Sequence, residues 1–491
     1  MHSPRTADQN LINEDLAPVP SDKRTWSMWS YAALWTSMAA CIPTYMLASS
    51  LITAGMNWWQ AVLTVFLGNV IVLIPMMLNA HAGTKYGIPF PVYCRASFGT
   101  LGANLPALLR ALVACGWFGI QTWIGGDAIH KILTVFMPSL AKGTEIPFLG
   151  ITGSQLACFL FFWSINMWVI YRGIHTIRLL LSIKAPLLVA LGLLLLWWAY
   201  NKAGGFGPML AAPSAFDPGQ PQEGKFLSVF IPSLTGMVGF WATLSLNIPD
   251  FSRYARSQKD QMLGQAIGLP ATMALYSFIG VAVTSATLVI FKDIEKPLWD
   301  PVQVLTRFTN PVVLVVSMLA ICVATLATNI AANVVSPAND FANVAPKKIS
   351  FRTGGFITGI IGVLMMPWKL LALPSGYIFT WLVGYSALLG PIAGIMIADY
   401  FVIRRCKLNT EDLYRSEGIY RYHSGFSYAG IAALLLAALP CLPGFLVQIG
   451  VVANTHPTFT AIYQQAWFVG FVIAFVLYLV FRKLSPTAIK L

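Results

Sequence analysis

The feature that most constrains this chain is the length of its segments without Asp, Glu, Lys or Arg. Residues 25–80 form one such run of 56 residues, with a turn signal at Gly55 and Asn57, and residues 426–481 form a second. A helix needs about 20 apolar residues to cross a bilayer core, so each run can cross twice. Further runs lie between them, at 111–126, 146–171, 185–201, 226–249, 261–291, 308–339, 353–368 and 370–398. Because the runs are continuously apolar and do not alternate with period two, they predict an all-α integral membrane protein with about twelve transmembrane helices.

Composition agrees with a membrane protein. Hydrophobic residues make up 57% of the chain and charged residues 10%, whereas soluble proteins are about 25% charged. This excludes a soluble enzyme, a disordered chain and a nucleic-acid-binding module. The net charge of +13 is explained by the Lys and Arg residues that gather in cytoplasmic loops. The seven cysteines form no CxxC or Cys/His cluster, so neither a metal site nor a disulfide framework is indicated.

The distribution of basic residues predicts an orientation. With the N-terminus inside, the inner segments hold 22 of the 31 Lys and Arg residues, and the outer segments hold 8. This asymmetry favours a multi-pass protein of the cell membrane with both termini cytoplasmic. Arg110, within the third span, is expected to extend its side chain to the membrane interface. Asp250 is expected to pair with Arg253 and Arg256 in a cytoplasmic loop.

Two predicted spans carry helix-breaking sequences. The first contains Ile42-Pro43 near its middle, and the sixth contains the glycine-rich stretch 235–241 followed by Pro249. Proline removes a backbone donor and clashes with the preceding turn. Breaks at corresponding places in two halves point to a transporter binding site at the membrane midplane. The alternative is that Gly and Pro are simply common in membrane helices.

Polar side chains within the spans suggest the kind of ligand. Trp117 and Gln121 are spaced i, i+4 and share one helix face, as do Asn329 and Asn333, and Trp241 follows the sixth-span glycines. Amides offer donors and acceptors, and indoles can stack on a flat ring. The set suits a small, planar, uncharged ligand with N–H and C=O groups. The alternatives are that the indoles anchor or pack helices, and that the amides only join helices.

The chain resembles nucleobase–cation symporter family 1, whose members transport hydantoins, allantoin, uracil and cytosine. The matching segments follow the family order along nearly the whole chain: Asn13–Leu16, Ile42–Tyr45, Gly83–Gly87, Arg95–Gly99, Trp117–Trp123, Asn329–Asn333, Ser336–Ala338, Pro367–Lys369, Leu389–Gly394 and Ala398–Phe401. The closest resemblance is to the hydantoin, allantoin and uracil branch.

The resemblance implies a leucine-transporter-like fold with alternating access around a midplane site. In that fold, two five-helix repeats of opposite topology are followed by two further helices. The implied organisation is a cytoplasmic tail 1–25, a first repeat 26–202, a second repeat 203–403, a cytoplasmic loop 404–425, two additional helices 426–482 and a cytoplasmic tail 483–491.

The resemblance also implies a set of substrate-binding residues. These are Cys41, Trp117, Gln121, Phe240, Trp241 and Asn333. The two indoles would sandwich the ring, and the two amides would read its N–H and C=O edge. Phe240 would supply a backbone contact at a position where the family can have glycine. Cys41 stands where the family pattern has an amide.

A cation site follows from the same resemblance. In sodium-coupled relatives the ligands match Ser37, Ala40, Ala324 and Thr328, but a second hydroxyl of the pattern falls on Ala327. Sodium takes about five or six oxygen ligands, by analogy with other hard cations. We therefore expect a sodium site with one ligand fewer, and proton coupling is the alternative.

The expected function is secondary active import of a planar heterocyclic amide such as hydantoin, allantoin or uracil. We expect a monomer in the bilayer, with no cofactor other than a coupling ion and no nucleic-acid partner. An amino-acid or amine symporter on the same fold would need a buried charge partner, which the spans lack. A membrane enzyme would need a catalytic cluster such as HExxH or paired intramembrane carboxylates, and none is present. A channel would not concentrate its substrate.

Overall fold

The computed structural model describes residues 8–172, 174–372 and 375–484, and within 174–186 the backbone alone. Residues 1–7 of the predicted N-terminal tail and 485–491 of the predicted C-terminal tail lie outside the described residues, as do the side chains of Arg178 and Lys184, which contribute to the basic-residue count. Throughout the described ranges the chain is helical, with isolated β-bridges and no strand.

The first part of the chain supplies the helices of the first five predicted spans. They are α1 (Met28–Ala39), α2 (Ile42–Thr53), α3 (Trp58–Tyr86), α4 (Phe90–Phe98), α5 (Asn104–Phe136), α6 (Gly153–Arg172) and α7 (Ile174–Ala203). Asn57 caps α3 through a capping box with Gln60, which confirms the predicted turn. Helix α4 is a short buried helix between the second and third spans.

The remaining helices complete the predicted spans and their connections. They are α8 (Phe206–Leu210), α9 (Phe226–Phe240), α10 (Ala242–Asn247), α11 (Pro249–Ser252), α12 (Gln258–Ile290), α13 (Pro301–Leu305), α14 (Pro311–Asn333), α15 (Val335–Val344), α16 (Phe351–Leu364), α17 (Pro367–Leu371), α18 (Val383–Ile397), α19 (Tyr428–Ala438), α20 (Leu442–Gln448), α21 (Pro457–Gln464) and α22 (Ala466–Leu484). Two π-helical stretches, Gly376–Leu382 and Ala398–Ile403, continue α18 at both ends.

The helices agree with the predicted spans. Within the described ranges, eight helices are long and apolar enough to cross a membrane. The other predicted spans coincide with shorter apolar helices, at Ile42–Thr53, Leu187–Ala203, Phe226–Phe240 and Phe351–Leu364. The all-α membrane architecture expected from the charge-free runs is therefore confirmed.

The first and sixth spans are both interrupted where the sequence predicts it. Ala40 and Cys41 separate α1 from α2, and the Cys41 backbone is extended with φ −150°. Pro43 lies in the first turn of α2, where its missing N–H leaves no helical bond unmade. Trp241, with φ −105° and ψ 8°, interrupts the helix between α9 and α10. The two breaks leave backbone groups exposed to the interior between helices, and membrane proteins tolerate this only away from lipid.

Close helix packing holds the broken spans in the centre. Helices α1 and α2 pack against α12, and α9 and α10 pack against α3. A Cβ atom at Gly264 of α12 would collide with Met28, and one at Gly68 of α3 would collide with Met237. Small residues at these places let the helix backbones approach each other, as is typical within membranes. Helices α5 and α14, which carry Trp117, Gln121 and Asn333, also pack against each other.

Two expectations about charged residues are wrong. Arg110 does not reach an interface: it is fully buried, and its Nη1 lies 3.0 Å from Oδ2 of the equally buried Asp340. Asp250 is buried too, and it accepts a hydrogen bond from the backbone N–H of Phe90 at 2.9 Å. Arg253 instead donates to the carbonyl of Asp15. Buried charges need partners, and here tertiary contacts supply them.

Candidate substrate site

A small cavity of about 30 Å³ lies between the two helix breaks. The six predicted substrate residues all line it, and each of them is between 3% and 6% exposed. Its lining comprises Met38, Cys41, Pro43, Trp117, Gln121, Phe240, Trp241, Thr243, Leu244, Thr328, Ala332 and Asn333. All of these described lining residues are uncharged. Residues from the first, third, sixth and eighth spans therefore meet at one place.

Aromatic rings form one wall of the cavity. The Phe240 ring contacts both predicted stacking indoles edge-on, with centroids 5.2 Å from Trp117 and 5.0 Å from Trp241. Trp241 also packs edge-on against Trp35, with ring centroids 5.1 Å apart. The Phe240 side chain therefore lies between the two indoles, whereas the sequence predicted a backbone contact alone. The family pattern can have glycine at the position of Phe240, and glycine has no side chain, so the resemblance could not predict where the Phe240 ring lies.

Unpaired polar atoms face this space. Gln121 Oε1 and Trp241 Nε1 are buried and make no hydrogen bond within the described part of the chain. A buried polar group without a partner costs about 1–3 kcal/mol. One unpaired acceptor and one unpaired donor beside the same cavity are what a ligand with N–H and C=O groups would satisfy.

Asn329 has a structural role beside Asn333. Its Nδ2 lies 3.2 Å from the Phe118 carbonyl and 3.1 Å from Asn166 Oδ1, so it joins three spans. Asn333 donates its Nδ2 to Asn329 Oδ1 at 3.0 Å, which fixes the orientation of the Asn333 amide at the cavity wall. For Asn329 the helix-joining alternative is therefore correct, and Asn333 lines the cavity.

The predicted cation ligands lie next to this cavity on two packed spans. Thr328 lines the cavity, and its hydroxyl donates to the Ala324 carbonyl at 2.9 Å. Ser37 and Ala40 lie at the end of α1, which packs against α14. Hydroxyl and carbonyl oxygens are the ligands that hard cations prefer. Within the described residues, no group of three or more His, Cys, Asp or Glu side chains could hold a metal ion.

Two tyrosines near α18 hold the helix breaks. The Tyr377 hydroxyl donates to the Pro43 carbonyl at 3.2 Å, and the Tyr385 hydroxyl donates to the Gly239 carbonyl at 2.8 Å. Both tyrosines are buried. Sequence reasoning missed these residues because a tyrosine in an apolar run carries no signal of its partner. Met38, Pro43, Thr243, Leu244 and Ala332 were also not predicted to line the site, although all lie within three residues of a predicted one.

Comparisons with known proteins identify the family of this chain. Residues 18–470 match the family model described as permease for cytosine/purines, uracil, thiamine and allantoin. The chain is 44% identical to the purine-uracil permease NCS1 of Arabidopsis thaliana, covering 97% of this chain and 79% of that relative. It is 42% identical to the allantoin permease of Bacillus subtilis strain 168, covering 97% and 94% of the two chains.

A solved structure shares the fold. It is Mhp1, a nucleobase-cation-symport-1 family transporter, in a closed conformation with bromovinylhydantoin bound. The two structures match with a TM-score of 0.77 at 25% identity, over 97% of this chain and 96% of that one. The match confirms the leucine-transporter-like fold, and the permease relatives exclude the alternative of a membrane enzyme. The chain belongs to nucleobase–cation symporter family 1 and is a multi-pass membrane transporter.

Proposed function

We propose that this transporter imports a planar, uncharged heterocyclic amide, such as hydantoin, allantoin or uracil, together with a cation. The observation that carries the proposal is the uncharged cavity where Trp117, Gln121, Trp241 and Asn333 meet between two broken helices. The names of the relatives point to the same class: one is a purine-uracil permease, one an allantoin permease, and the solved relative holds bromovinylhydantoin.

Each side chain has a distinct part in recognition. Trp117 and Trp241 would flank the ring, and their faces would stack on it. Gln121 Oε1, which has no hydrogen-bond partner among the described residues, would accept a ring N–H. The Asn333 amide, oriented by Asn329, would read the remaining C=O and N–H groups. Cys41 would contact the ligand from the first helix break, where its sulfur lies 3.3 Å from the Thr44 hydroxyl.

The uncharged lining argues against the amino-acid or amine symporter. A carboxylate or ammonium group taken from water into this cavity would need an opposite charge, because burying an unpaired ion is costly. The buried ions Arg110 and Asp340, seven residues from Trp117 and Asn333 respectively, pair with each other. Neither lines the cavity.

Sodium is the coupling ion that we propose, with protons as the alternative. The Thr328 hydroxyl uses its hydrogen on the Ala324 carbonyl, so its oxygen lone pairs stay available to a cation. Ala327 removes one expected ligand. Thr325, one turn before Thr328, has a buried hydroxyl that makes no hydrogen bond within the described residues and could replace it. An ion bound between Ser37, Ala40 and α14 would order the first helix break, and it would favour the state in which those ligands are assembled.

We also propose the predicted organisation for this chain. It comprises a first repeat at 26–202, a second repeat at 203–403 and two added helices at 426–482. Both termini would be cytoplasmic, in the cell membrane, and the transporter would act as a monomer.

The test is thermal stabilisation of the purified transporter. Hydantoin, 5-substituted hydantoins, allantoin, uracil, thymine, cytosine and leucine are each added with and without sodium. A ligand that binds the folded state alone stabilises it by about 2.7 kcal/mol at a concentration 100 times its Kd. Stabilisation by one heterocycle in sodium supports the proposal, and the same stabilisation without sodium points to protons. Stabilisation by leucine alone would overturn it.

Two substitutions test the site itself. Trp117→Ala and Asn333→Ala should abolish heterocycle binding while the protein still inserts and folds. Both side chains line the cavity, and both are buried away from the lipid-facing surface. Trp29→Ala is the matched control, since that indole is 65% exposed on α1. Normal uptake by both cavity variants would refute the site assignment.

A further inference from the structure

A second and much larger cavity lies on the side that the basic-residue count predicts to be extracellular. Its volume is about 680 Å³, against about 30 Å³ for the cavity described above. We call it the outer cavity, and the smaller one the inner cavity. Ligand sites typically have about 300–1,000 Å³, so the outer cavity has the size of a site for a small molecule.

The outer cavity continues the route from the inner one. Ile124 and Met46 line the outer cavity, and Gln121 and Pro43 line the inner cavity on the same two helices. Each pair is separated by three residues, or about 5 Å along a helix axis. A molecule that leaves the outer cavity along α2 and α5 therefore arrives at the inner cavity within one helical turn.

The walls of the outer cavity carry indole rings, as those of the inner cavity do, and in addition they carry charged side chains: Asp127, Lys131, Glu145, Asp300 and Lys369. Trp123 and Trp368 both line it, with ring centroids 5.5 Å apart and planes inclined by 49°. The Trp368 indole is fixed by donation of its Nε1 to the Leu149 carbonyl at 2.9 Å. A ring can stack on the exposed part of these indoles, as base-like ligands do on aromatic platforms.

Two carboxylates supply acceptors beside the indoles. Asp127 of α5 and Asp300 at the start of α13 both line the cavity. Asp127 lies 3.9 Å from Lys131, a loose pair, and Asp300 caps α13 through the Val302 N–H at 2.9 Å. Each carboxylate keeps free lone pairs, and N–H groups bound to a carboxylate form charge-assisted hydrogen bonds. Burial and the neighbouring Asp127 raise the pKa of Asp300 to about 7, while Lys131 opposes the shift.

We propose that the outer cavity is a second binding site for flat, N–H-rich heterocycles, occupied before the ligand reaches the inner cavity. The proposal rests on the proposed function for the identity of its ligand. The volumes support the order of occupation. A cavity of about 150 Å³ holds a benzene ring, so in this conformation the outer cavity admits a heterocycle and the inner cavity does not.

The test is binding stoichiometry on the purified full-length transporter. Equilibrium dialysis with radiolabelled uracil, hydantoin and allantoin should give two molecules per chain at saturation for the compound that is carried. Trp117→Ala should leave one molecule, bound in the outer cavity. Asp127→Asn combined with Asp300→Asn should weaken the outer site about tenfold or more, because hydrogen bonds to a charged acceptor are lost. At a concentration that just saturates both sites of the unmodified transporter, this variant should therefore hold little more than the one molecule in the inner cavity. Asparagine remains a good N-cap, so Asp300→Asn preserves α13.

The control is Asp293→Asn, in the same connection between α12 and α14. Asp293 is 64% exposed, does not line the cavity and pairs with Arg307. Its substitution should leave two molecules bound, and an equal loss there would overturn the assignment to the cavity. A stoichiometry of one that Trp117→Ala abolishes would overturn the outer site and leave the proposed function intact. Absence of binding by all three compounds would overturn both. Binding lost with the two carboxylates but unaffected by Trp117→Ala would support the outer site and refute the inner one.

Discussion

Replacing Phe240 by alanine should widen the inner cavity so that it accepts a substituted ring. Phe240 is 6% exposed, and its ring lies edge-on to Trp117 and to Trp241. The cavity beside it measures about 30 Å³. That volume holds water, which needs about 10–15 Å³, but no six-membered ring, which needs about 150 Å³. The benzyl group of Phe240 is the side chain that separates the two indoles, so its removal creates space where a ligand substituent would lie.

The energetic effect can be worked from these contacts. Each edge-to-face aromatic pair contributes about 0.5–1.5 kcal/mol beyond its buried area, so two pairs contribute about 1–3 kcal/mol. A buried Phe→Ala change costs about 3–5 kcal/mol of stability in total, because it leaves a void. A ligand whose substituent fills that void recovers part of this cost, whereas an unsubstituted ring recovers none. Recovery of about 1.4 kcal/mol gives a tenfold change in relative affinity.

The assay compares the Kd values of hydantoin and 5-benzylhydantoin on the purified protein. Phe240→Ala should shift the ratio of the two affinities toward 5-benzylhydantoin by about tenfold or more. Phe161, which is 59% exposed on α6, provides the matched control, and Phe161→Ala should leave the ratio unchanged. Phe240→Leu keeps most of the packing and serves if the alanine variant does not fold. An unchanged ratio in a folded Phe240 variant that still binds hydantoin would refute the reasoning.

Three further predictions concern single hydrogen bonds and charged groups of the fold. Tyr385→Phe removes the hydroxyl that donates to the Gly239 carbonyl at the end of α9. Heterocycle affinity should then change less than threefold, while the uptake rate in proteoliposomes should fall. An unchanged rate would show that this hydrogen bond has no part in transport. Asp399→Ala removes the carboxylate that lies 2.6 Å from the buried Arg404, and it should lower the free energy of unfolding by about 3–5 kcal/mol. Asp293→Ala, in an exposed ion pair, should lower it by at most about 1 kcal/mol. Equal effects in thermal unfolding would contradict the argument that burial makes the difference. Because the pKa of Asp300 is raised to about 7, its carboxylate is ionised above that pH and neutral below it. Heterocycle binding in the outer cavity should therefore weaken as the pH falls from 8 to 6, and Asp300→Asn should remove this dependence. A pH profile that the substitution leaves intact would assign the titration to another group.

The spans could be predicted from the sequence because crossing the bilayer requires a continuous apolar segment of a certain length, which is visible without the fold. A charge-free run of sufficient length has few alternatives to a membrane helix. The helix breaks were equally visible, since Pro43 and the glycines before Trp241 disturb the helix locally. Trp117, Gln121, Trp241 and Asn333 were already indicated by residue type and spacing. The family pattern added Cys41 and Phe240, and all six predicted residues line one cavity.

The remaining features depend on contacts between distant segments. Arg110 and Asp340 are 230 residues apart in sequence, and nothing in either local sequence indicates that the other will neutralise it. The same holds for the outer cavity, whose lining comes from α2, α5, α13, α17 and the connection before α6. The position of the Phe240 ring follows from the backbone at the end of α9 and from its two indole neighbours. Such juxtapositions require the fold, because they are set by packing and not by periodicity.

The tyrosine contacts hold both helix breaks against α18 and the π-helical stretch that precedes it. A break frees carbonyl groups at the end of the preceding helix that lipid cannot satisfy, and the Tyr385 hydroxyl satisfies that of Gly239 at the end of α9. The Tyr377 hydroxyl donates to the Pro43 carbonyl in the first turn of α2, just after the other break. Each hydrogen bond contributes about 0.5–1.5 kcal/mol net, which is small enough to be exchanged during a transport cycle and large enough to bias it. Any movement of the broken helices away from α18 must therefore break both bonds, and any movement with α18 must keep them. Helix α18 and the π-helical stretch Gly376–Leu382 thus couple the two helix breaks, because displacement of either break is resisted by the same continuous helix.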